Sequence, residues 1–287
     1  VTFSIVARCA DGRRHGVAVA SRFLAAGALV PAAEARVGAV ATQAHANLAY
    51  RQQGLALLRT GVAAVDVVAG LVAADPGRDD RQLGVVGADG VGATWTGPRC
   101  RPWAGGQAGD GWAVQGNILA GPHVLDAVRD AWLAGDALPF PQRLLAALRA
   151  GDEAGGDRRG RQSAGLLVVE RHGGYAGTGD ELVDLRVDDH PDPVTELGRL
   201  LGIHTVMFGK PDPATLLDLA GPLADEVTAL LAAVGHRVDA AGLDDALAAW
   251  AGLENLEERL VPGRIDPLVL TQLRRGVARV PAPREAT

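Results

Sequence analysis

The sequence predicts an α+β fold in which antiparallel sheets carry helices on their outer faces, followed by a small all-α domain. Three observations lead there. Strand and helix patterns run in the order strands, paired helices, strands, paired helices, strands, whereas a doubly wound parallel fold would alternate them singly. Asp11-Gly12 and Gly87-Ala88-Asp89-Gly90 mark hairpin turns between apolar, β-leaning runs. After Lys210-Pro211-Asp212-Pro213 the pattern changes to three punctuated helical stretches.

Phe3 to Arg8 and Gly16 to Ser21 read as the arms of the first hairpin, and Val37 to Gln43 as a further strand. From Gln52 to Val72, Leu55, Leu58, Val62, Val65, Val68 and Leu71 recur at spacings of three and four, interrupted by Gly61, which predicts two consecutive helices. Leu83 to Val86 and Val91 to Thr96 make the second hairpin, and Trp112 to Asn117 another strand. Pro122 to Leu133 and Pro141 to Leu148 form the second helix pair. Ser163 to Val169 and Leu182 to Val187 complete the strands, and a helix opens after His190-Pro191-Asp192-Pro193 and ends near Leu201. Beyond the proline-rich break, Pro222 opens a helix with Val227, Leu230, Leu231 and Val234 on one face and Gly235 as its stop. Leu243, Leu247 and Trp250 mark a second helix, and Asp266-Pro267 supply an N-cap and first-turn proline for a third. The expected division is a domain over 1–207, a helical domain over 212–276 and a flexible tail over 277–287.

Composition narrows the class. Of 287 residues 48% are hydrophobic but only 4% aromatic, so the cores must be built from Ala, Val and Leu. Residues 1–211 hold 21 basic and 22 acidic residues, and 212–275 hold 5 and 11. Neither balance suits a surface that neutralises phosphates, so no nucleic-acid partner is expected. No stretch reaches the ~18–20 uninterrupted apolar residues of a spanning helix, and VTFSIVAR carries no secretory pattern. The two cysteines, Cys9 and Cys100, are no disulfide framework. The expectation is a cytoplasmic protein with no membrane partner. HExxH, GxSxG, GxxxxGK and zinc-type Cys/His spacings are all missing, so neither cofactor nor metal is expected, and His190 reads as part of a turn before a helix.

The start of the chain carries the chemistry. A hydroxyl is a weak nucleophile at neutral pH and needs a base; a free α-amino group, with a pKa of about 7.7–8.0, supplies one within the same residue. A GTG initiator codon is written as valine although it inserts methionine, and a residue as small as Thr2 permits removal of that methionine, so the expectation is that Thr2 is the first residue. A β-branched residue opening a strand is the competing reading.

TFSIVAR, GVAVASRFLAAGALVP, GAVATQAHAN, QGNILAGP, GGDRRGRQSAGLLVV and VDLRVDDHPDPVTEL together resemble the bacterial and archaeal family known as domain of unknown function 1028, from Thr2 to about Leu201. Val1 in place of methionine and Cys9 in place of the commoner Asp are the departures from its usual opening. The resemblance implies a four-layer αββα sandwich similar to the N-terminal-nucleophile (Ntn) hydrolases, and an amide (C–N bond) hydrolase with Thr2 as nucleophile and its free amine as base. Ala249-Trp250-Ala251, Glu254 to Arg259 and Ile265-Asp266-Pro267 are similar to a peptidoglycan-binding domain that often follows this family.

Around Thr2, acyl transfer needs donors aimed at a developing oxyanion. Asn117, at a strand end, is the first candidate, with Gln43 and Asn47 next. Ser21 either bonds the amine or forms a turn. Asp157, Arg159, Arg161 and Gln162 either bind an anionic group of the substrate or make an ion-paired turn. Trp95, Trp103 and Trp112 either line a pocket or pack in the core. The expected substrate is a small-molecule or peptide amide, and open sheet edges are compatible with a homodimer. The alternative is a non-catalytic binding or assembly protein on the same scaffold.

Overall fold

The computed structural model describes residues 2–239 and 242–279 and divides the chain into two compact units, Val1–Leu201 and Gly202–Thr287. In chain order the first unit contains β1 (Thr2–Arg8), β2 (Arg14–Ser21), α1 (Ala26–Leu29), β3 (Pro31–Glu34), β4 (Gly38–Ala44), α2 (Ala49–Arg59), α3 (Ala64–Ala74), β5 (Arg81–Gly87), β6 (Ala93–Thr96), β7 (Gly105–Gly109), β8 (Trp112–Asn117), α4 (His123–Ala134), α5 (Phe140–Glu153), β9 (Ser163–Glu170) and β10 (Glu181–Val187). The helix α6 (Pro193–Phe208) starts in this unit and ends in the next.

All strand pairs are antiparallel. Six strands form one sheet in the order β10-β9-β2-β1-β8-β7, and four form another in the order β3-β4-β5-β6. Alternation along each strand sorts the side chains into layers. Phe3, Ile5 and Ala7 of β1 face outward and pack with Leu125 and Val128 of α4 and Leu144 and Leu148 of α5. Val40 of β4 and Leu83 and Val85 of β5 face outward from the other sheet onto Leu55, Leu58, Val67 and Leu71 of α2 and α3. Between the sheets lie the opposite faces of the same strands, with Val6, Val17, Val19, Ala39, Ala41, Val86 and Ala113. The layers therefore run helices, sheet, sheet, helices, and small inner residues let the sheets approach closely. Gly84 shows how closely: a Cβ there would sit 2.0 Å from the Gln115 side chain.

Two short strands and one short helix, β3, β7 and α1, are invisible in the sequence pattern. β7 reads Gly-Gly-Gln-Ala-Gly, with no β preference of its own, and exists because β8 pairs with it along its whole length. α6 runs on to Phe208 instead of stopping near Leu201. Its first turns bury Val194, Leu197 and Leu201 in the first unit, and Val206 packs on the core of the second, so an apolar face persists past the expected end.

The second unit holds β11 (Leu217–Asp218), α7 (Gly221–Ala233), α8 (Leu243–Leu253), β12 (Arg264–Ile265) and α9 (Pro267–Arg279). Among the described residues its regular elements are helices apart from the two-residue ladder β11–β12, which the all-α expectation did not include. Asp266 Oδ1 accepts from the Leu268 amide at 2.7 Å, the expected cap of α9. Asp266 Oδ2 takes Arg259 Nη1 at 2.5 Å, and Arg259 in turn donates to the Thr205 and Val206 carbonyls at the end of α6. The Trp250 ring of the resemblance motif is buried with Val227, Leu231 and Leu273. The expected tail begins inside α9, which continues to Arg279; residues 280–287 lie outside the described residues.

Candidate functional site

Thr2 opens β1 and pairs in register with Asn117, the last residue of β8. Its hydroxyl lies 3.1 Å from Ser21 Oγ at the end of β2, and the residue is 6% exposed. Because side chains alternate, Thr2 and Ser4 share the inner face of β1, while Gln115 and Asn117 share that of β8. From the other sheet, Gln43 of β4 and Gln82 of β5, directly paired, face them. Six polar side chains thus meet between the sheets at one end of the first unit.

They bond mainly to one another. Ser4 Oγ donates to Gln43 Oε1 at 2.7 Å and receives Gln115 Nε2 at 2.6 Å. Gln43 Nε2 donates to Gln82 Oε1 at 2.8 Å, with longer contacts of 3.3 Å to the Thr2 and Gln115 carbonyls. Gln82 is the hub: its oxygen also accepts from Asn117 Nδ2 at 2.8 Å, and its nitrogen donates to the Gly116 carbonyl at 2.7 Å and to Thr96 Oγ1 at 2.9 Å. Gln115 Oε1 is buried without a partner. An amide nitrogen carries two hydrogens, so Asn117 keeps one beyond its bond to Gln82. Both Asn117 and Gln43 are followed by residues in the left-handed region, Ile118 at φ 50° and Ala44 at φ 65°, so the chain bends sharply away after each. For a β-branched residue such as Ile118 that conformation is strained, and it sits beside the candidate nucleophile.

The loop between α5 and β9 closes the same end. Gly155, Gly156 and Gly160 take positive φ values of 103°, 41° and 106°, which explains the glycines of GGDRRGRQSAG. The loop is tied to the chain after Asn117 through Ala120 N to Gly156 O and Arg158 N to Ile118 O. Asp157 is buried and accepts from the Arg22 amide at 2.7 Å and the Arg159 amide at 2.8 Å; Arg159 Nη2 donates to the Arg22 carbonyl at 2.9 Å. Asp157 and Arg159 therefore hold the segment that follows Ser21. Gln162 fastens Ser21 from the other side, its amide donating to the Ser21 carbonyl at 3.1 Å, while its side chain reaches Asp189. Arg161 Nε donates at 2.9 Å to Asp152, a buried carboxylate at the end of α5. Burial pushes the Asp152 carboxyl up, and Arg161 pulls it partly back.

Thr2, Ser21, Gln43 and Asn117 are thus brought together, and Asp157, Arg159 and Gln162 brace Ser21. Asn47 is elsewhere: its Nδ2 bonds Asp75, as do the Tyr50 hydroxyl and Arg81 Nε. Arg81 holds the Asp75 carboxyl well below the usual range, and this ion-paired knot fixes the turn after β4. The tryptophans pack on the cores: Trp112 and Trp103 join the one under α4 and α5, and Trp95 the one under α2 and α3. Sequence reasoning passed over Ser4, Gln82, Gln115 and Asp152. The signal was there for three of them, as polar side chains at inner positions of otherwise apolar strands.

No cluster of metal-ligating side chains occurs among the described residues. No described helix is long and apolar enough to cross a membrane.

Antiparallel sheets sandwiched between helix pairs, with a polar end built on the first strand, define a layered α+β protein. Residues 2–197 match the "Family of unknown function (DUF1028)", and the chain belongs to that family. Residues 207–273 match a second family, described as "Putative peptidoglycan binding domain". Among solved structures the chain is similar to the crystal structure of a protein from Silicibacter pomeroyi described by the same family, with 30% identity, a TM-score of 0.65, and coverage of 78% of this chain and 92% of that one. No curated protein matches.

Proposed function

We propose that the first unit is an Ntn-hydrolase-like αββα sandwich and that the protein hydrolyses an amide bond, with Thr2 as nucleophile once the residue before it has been removed. The observation that carries this is the position of the Thr2 hydroxyl, at the polar end of the inter-sheet layer, 3.1 Å from Ser21 Oγ and opposite Asn117. In the reaction Thr2 Oγ1 attacks the carbonyl carbon and its proton passes to the α-amine. The tetrahedral oxyanion takes the remaining N–H of Asn117, the leaving nitrogen takes the proton from the amine, and water hydrolyses the resulting ester. Ser21, Gln43 and the Asp157–Arg159–Gln162 brace keep these groups in place, and the substrate is a small-molecule or peptide amide. Two free thiols, Cys9 and Cys100, fit a reducing compartment, the cytoplasm.

The test is mass spectrometry of the purified protein expressed from its native start, followed by a panel of amides and lactams. The expected result is a chain beginning at Thr2 and an acyl adduct on that residue. Retention of the preceding residue on every chain would overturn activation by the amine.

A further inference from the structure

Next to Ser21 the structure has a small cavity lined by Ser21, Asp152, Asp157 and Arg161, with Phe3 and Pro193 as apolar walls. Its size is about that of one water molecule, and its lining offers the two to four polar partners that a buried water requires. One lining residue contacts the candidate nucleophile directly, since Ser21 Oγ is 3.1 Å from Thr2 Oγ1. Another is a carboxylate that the proposed reaction leaves unused. Asp152 is 8% exposed at the end of α5, with Arg161 bonded to Oδ1.

We propose that Ser21 and a water in this cavity connect Thr2 to Asp152, giving the nucleophile a second proton acceptor independent of the α-amine. The inference rests on Thr2 being the nucleophile, and makes Asp152 a positioning residue that acts through Ser21. The transfer balances as a relay. As Thr2 Oγ1 bonds to the carbonyl carbon, its proton moves to Ser21 Oγ, the Ser21 proton moves to the water, and a water proton moves to Asp152. Thr2 loses one proton, Asp152 gains one, and Ser21 and the water end unchanged; the reverse relay delivers the proton to the leaving group.

The charges around Asp152 tune this route. Arg161 favours its ionised form, while Asp192 and Glu153 oppose it together with burial, which is the largest effect. Asp157 lines the same cavity but is occupied by the Arg22 and Arg159 amides. A carboxylate whose pKa is raised by burial can accept a proton in conditions where an ordinary α-amine, with a pKa of about 7.7–8.0, is already protonated.

The experiment measures the rate at which a β-lactone labels Thr2 in the full-length protein, read by mass spectrometry across pH. Thr2 Oγ1 bonds to the lactone carbonyl, the ring C–O bond breaks, the freed alkoxide takes the proton, and the protein gains the mass of the whole lactone. The wild type is expected to keep labelling below the amine's range. Asp152→Asn should lose that limb, its rate falling about tenfold per pH unit below the amine pKa. Arg161→Gln should keep the limb but move it to higher pH, because the group that lowers the Asp152 pKa is gone. The two variants shift the profile differently, which a merely structural role would not do, and Arg161→Gln serves if Asp152→Asn fails to fold. Labelling of Thr2 with the same pH profile in wild type and both variants overturns the relay alone. Failure of the wild type to label Thr2 at any pH overturns the nucleophile assignment and the relay with it.

Discussion

At one end of the space between the two sheets six polar side chains meet; at the other, Val6, Val17, Val19, Val86 and their alanine neighbours meet around a single histidine, His15. The strands are the same and the burial is the same, so the difference lies in what each end is for. Close-packed aliphatic groups need nothing further to be stable. Buried amides must each find partners, and the best outcome is roughly break-even against apolar side chains of the same shape. Gln43, Gln82, Gln115 and Asn117 therefore add little stability for their complexity. What they do add is direction: each fixes the next, down to the residue opposite Thr2. The apolar end is scaffold, and the polar end is where positions matter.

The strongest way to break this comparison is at Thr2. Thr2→Ala should abolish covalent labelling, with a loss on the order of 10⁶, as when a serine protease loses its nucleophile, and should leave the melting temperature nearly unchanged. Thr2→Ser keeps hydroxyl and amine in the same relation and should retain measurable labelling. An amide substrate turned over equally well by Thr2→Ala would put the chemistry elsewhere. Asn117→Ala comes next: with the oxyanion donor gone, turnover should fall by roughly 10²–10³ while Thr2 still acylates. A turnover equal to wild type would show that Asn117 serves only the network.

Gln82 tests the network itself. Gln82→Leu keeps much of the volume but leaves Gln43 Nε2, Asn117 Nδ2 and the Gly116 carbonyl each a partner short. At about 1–3 kcal/mol for a stranded buried group, and with partial relaxation, the expected cost is roughly 3–5 kcal/mol in denaturant unfolding. A cost below about 1 kcal/mol would mean that water or rearrangement replaces Gln82 easily, and that the polar end is less fixed than its geometry.

The same contrast explains what the sequence disclosed. Short, β-leaning runs make β1 and β8 legible in TFSIVAR and WAVQGN, and apolar spacing makes the helices so, because both signals are local. The register that sets Thr2 against Asn117 is not local, and neither is the packing that turns Gln43 and Gln82 toward them; no spacing within one strand announces a partner in the other sheet. Asn47 shows the opposite failure. It has the right chemistry and lies four residues from Gln43, but Ala44 turns left-handed between them and the chain leaves the site, so Asn47 joins Asp75 instead. Asp157, Arg159 and Gln162 were legible as a cluster because the glycines around them mark a tight loop; that they grip the Ser21 segment required the fold.

The smallest expected effect lies at the apolar end. His15 is fully buried, both ring nitrogens lack a hydrogen-bond partner, and Arg8 lies nearby. Burial pushes its pKa down to about 4, with Arg8 acting in the same direction and the Gly87 backbone partly opposing, close by but without completing a bond. The unfolded chain then binds the proton more readily than the folded one. Stability is therefore fully present above about pH 6.5 and is lost as pH falls from there towards 4, by about 3 kcal/mol over the window. Buried carboxylates with lowered pKa values, such as Asp75, lose their contribution only at still lower pH, so the histidine window is separable. Denaturant unfolding at pH 7 and pH 4.5 should show a larger loss in wild type than in His15→Leu, which removes the titrating group and the two unpartnered nitrogens together. Equal losses in the two proteins would mean that His15 finds a proton partner in solution and that the scaffold end is not as dry as its aliphatic lining.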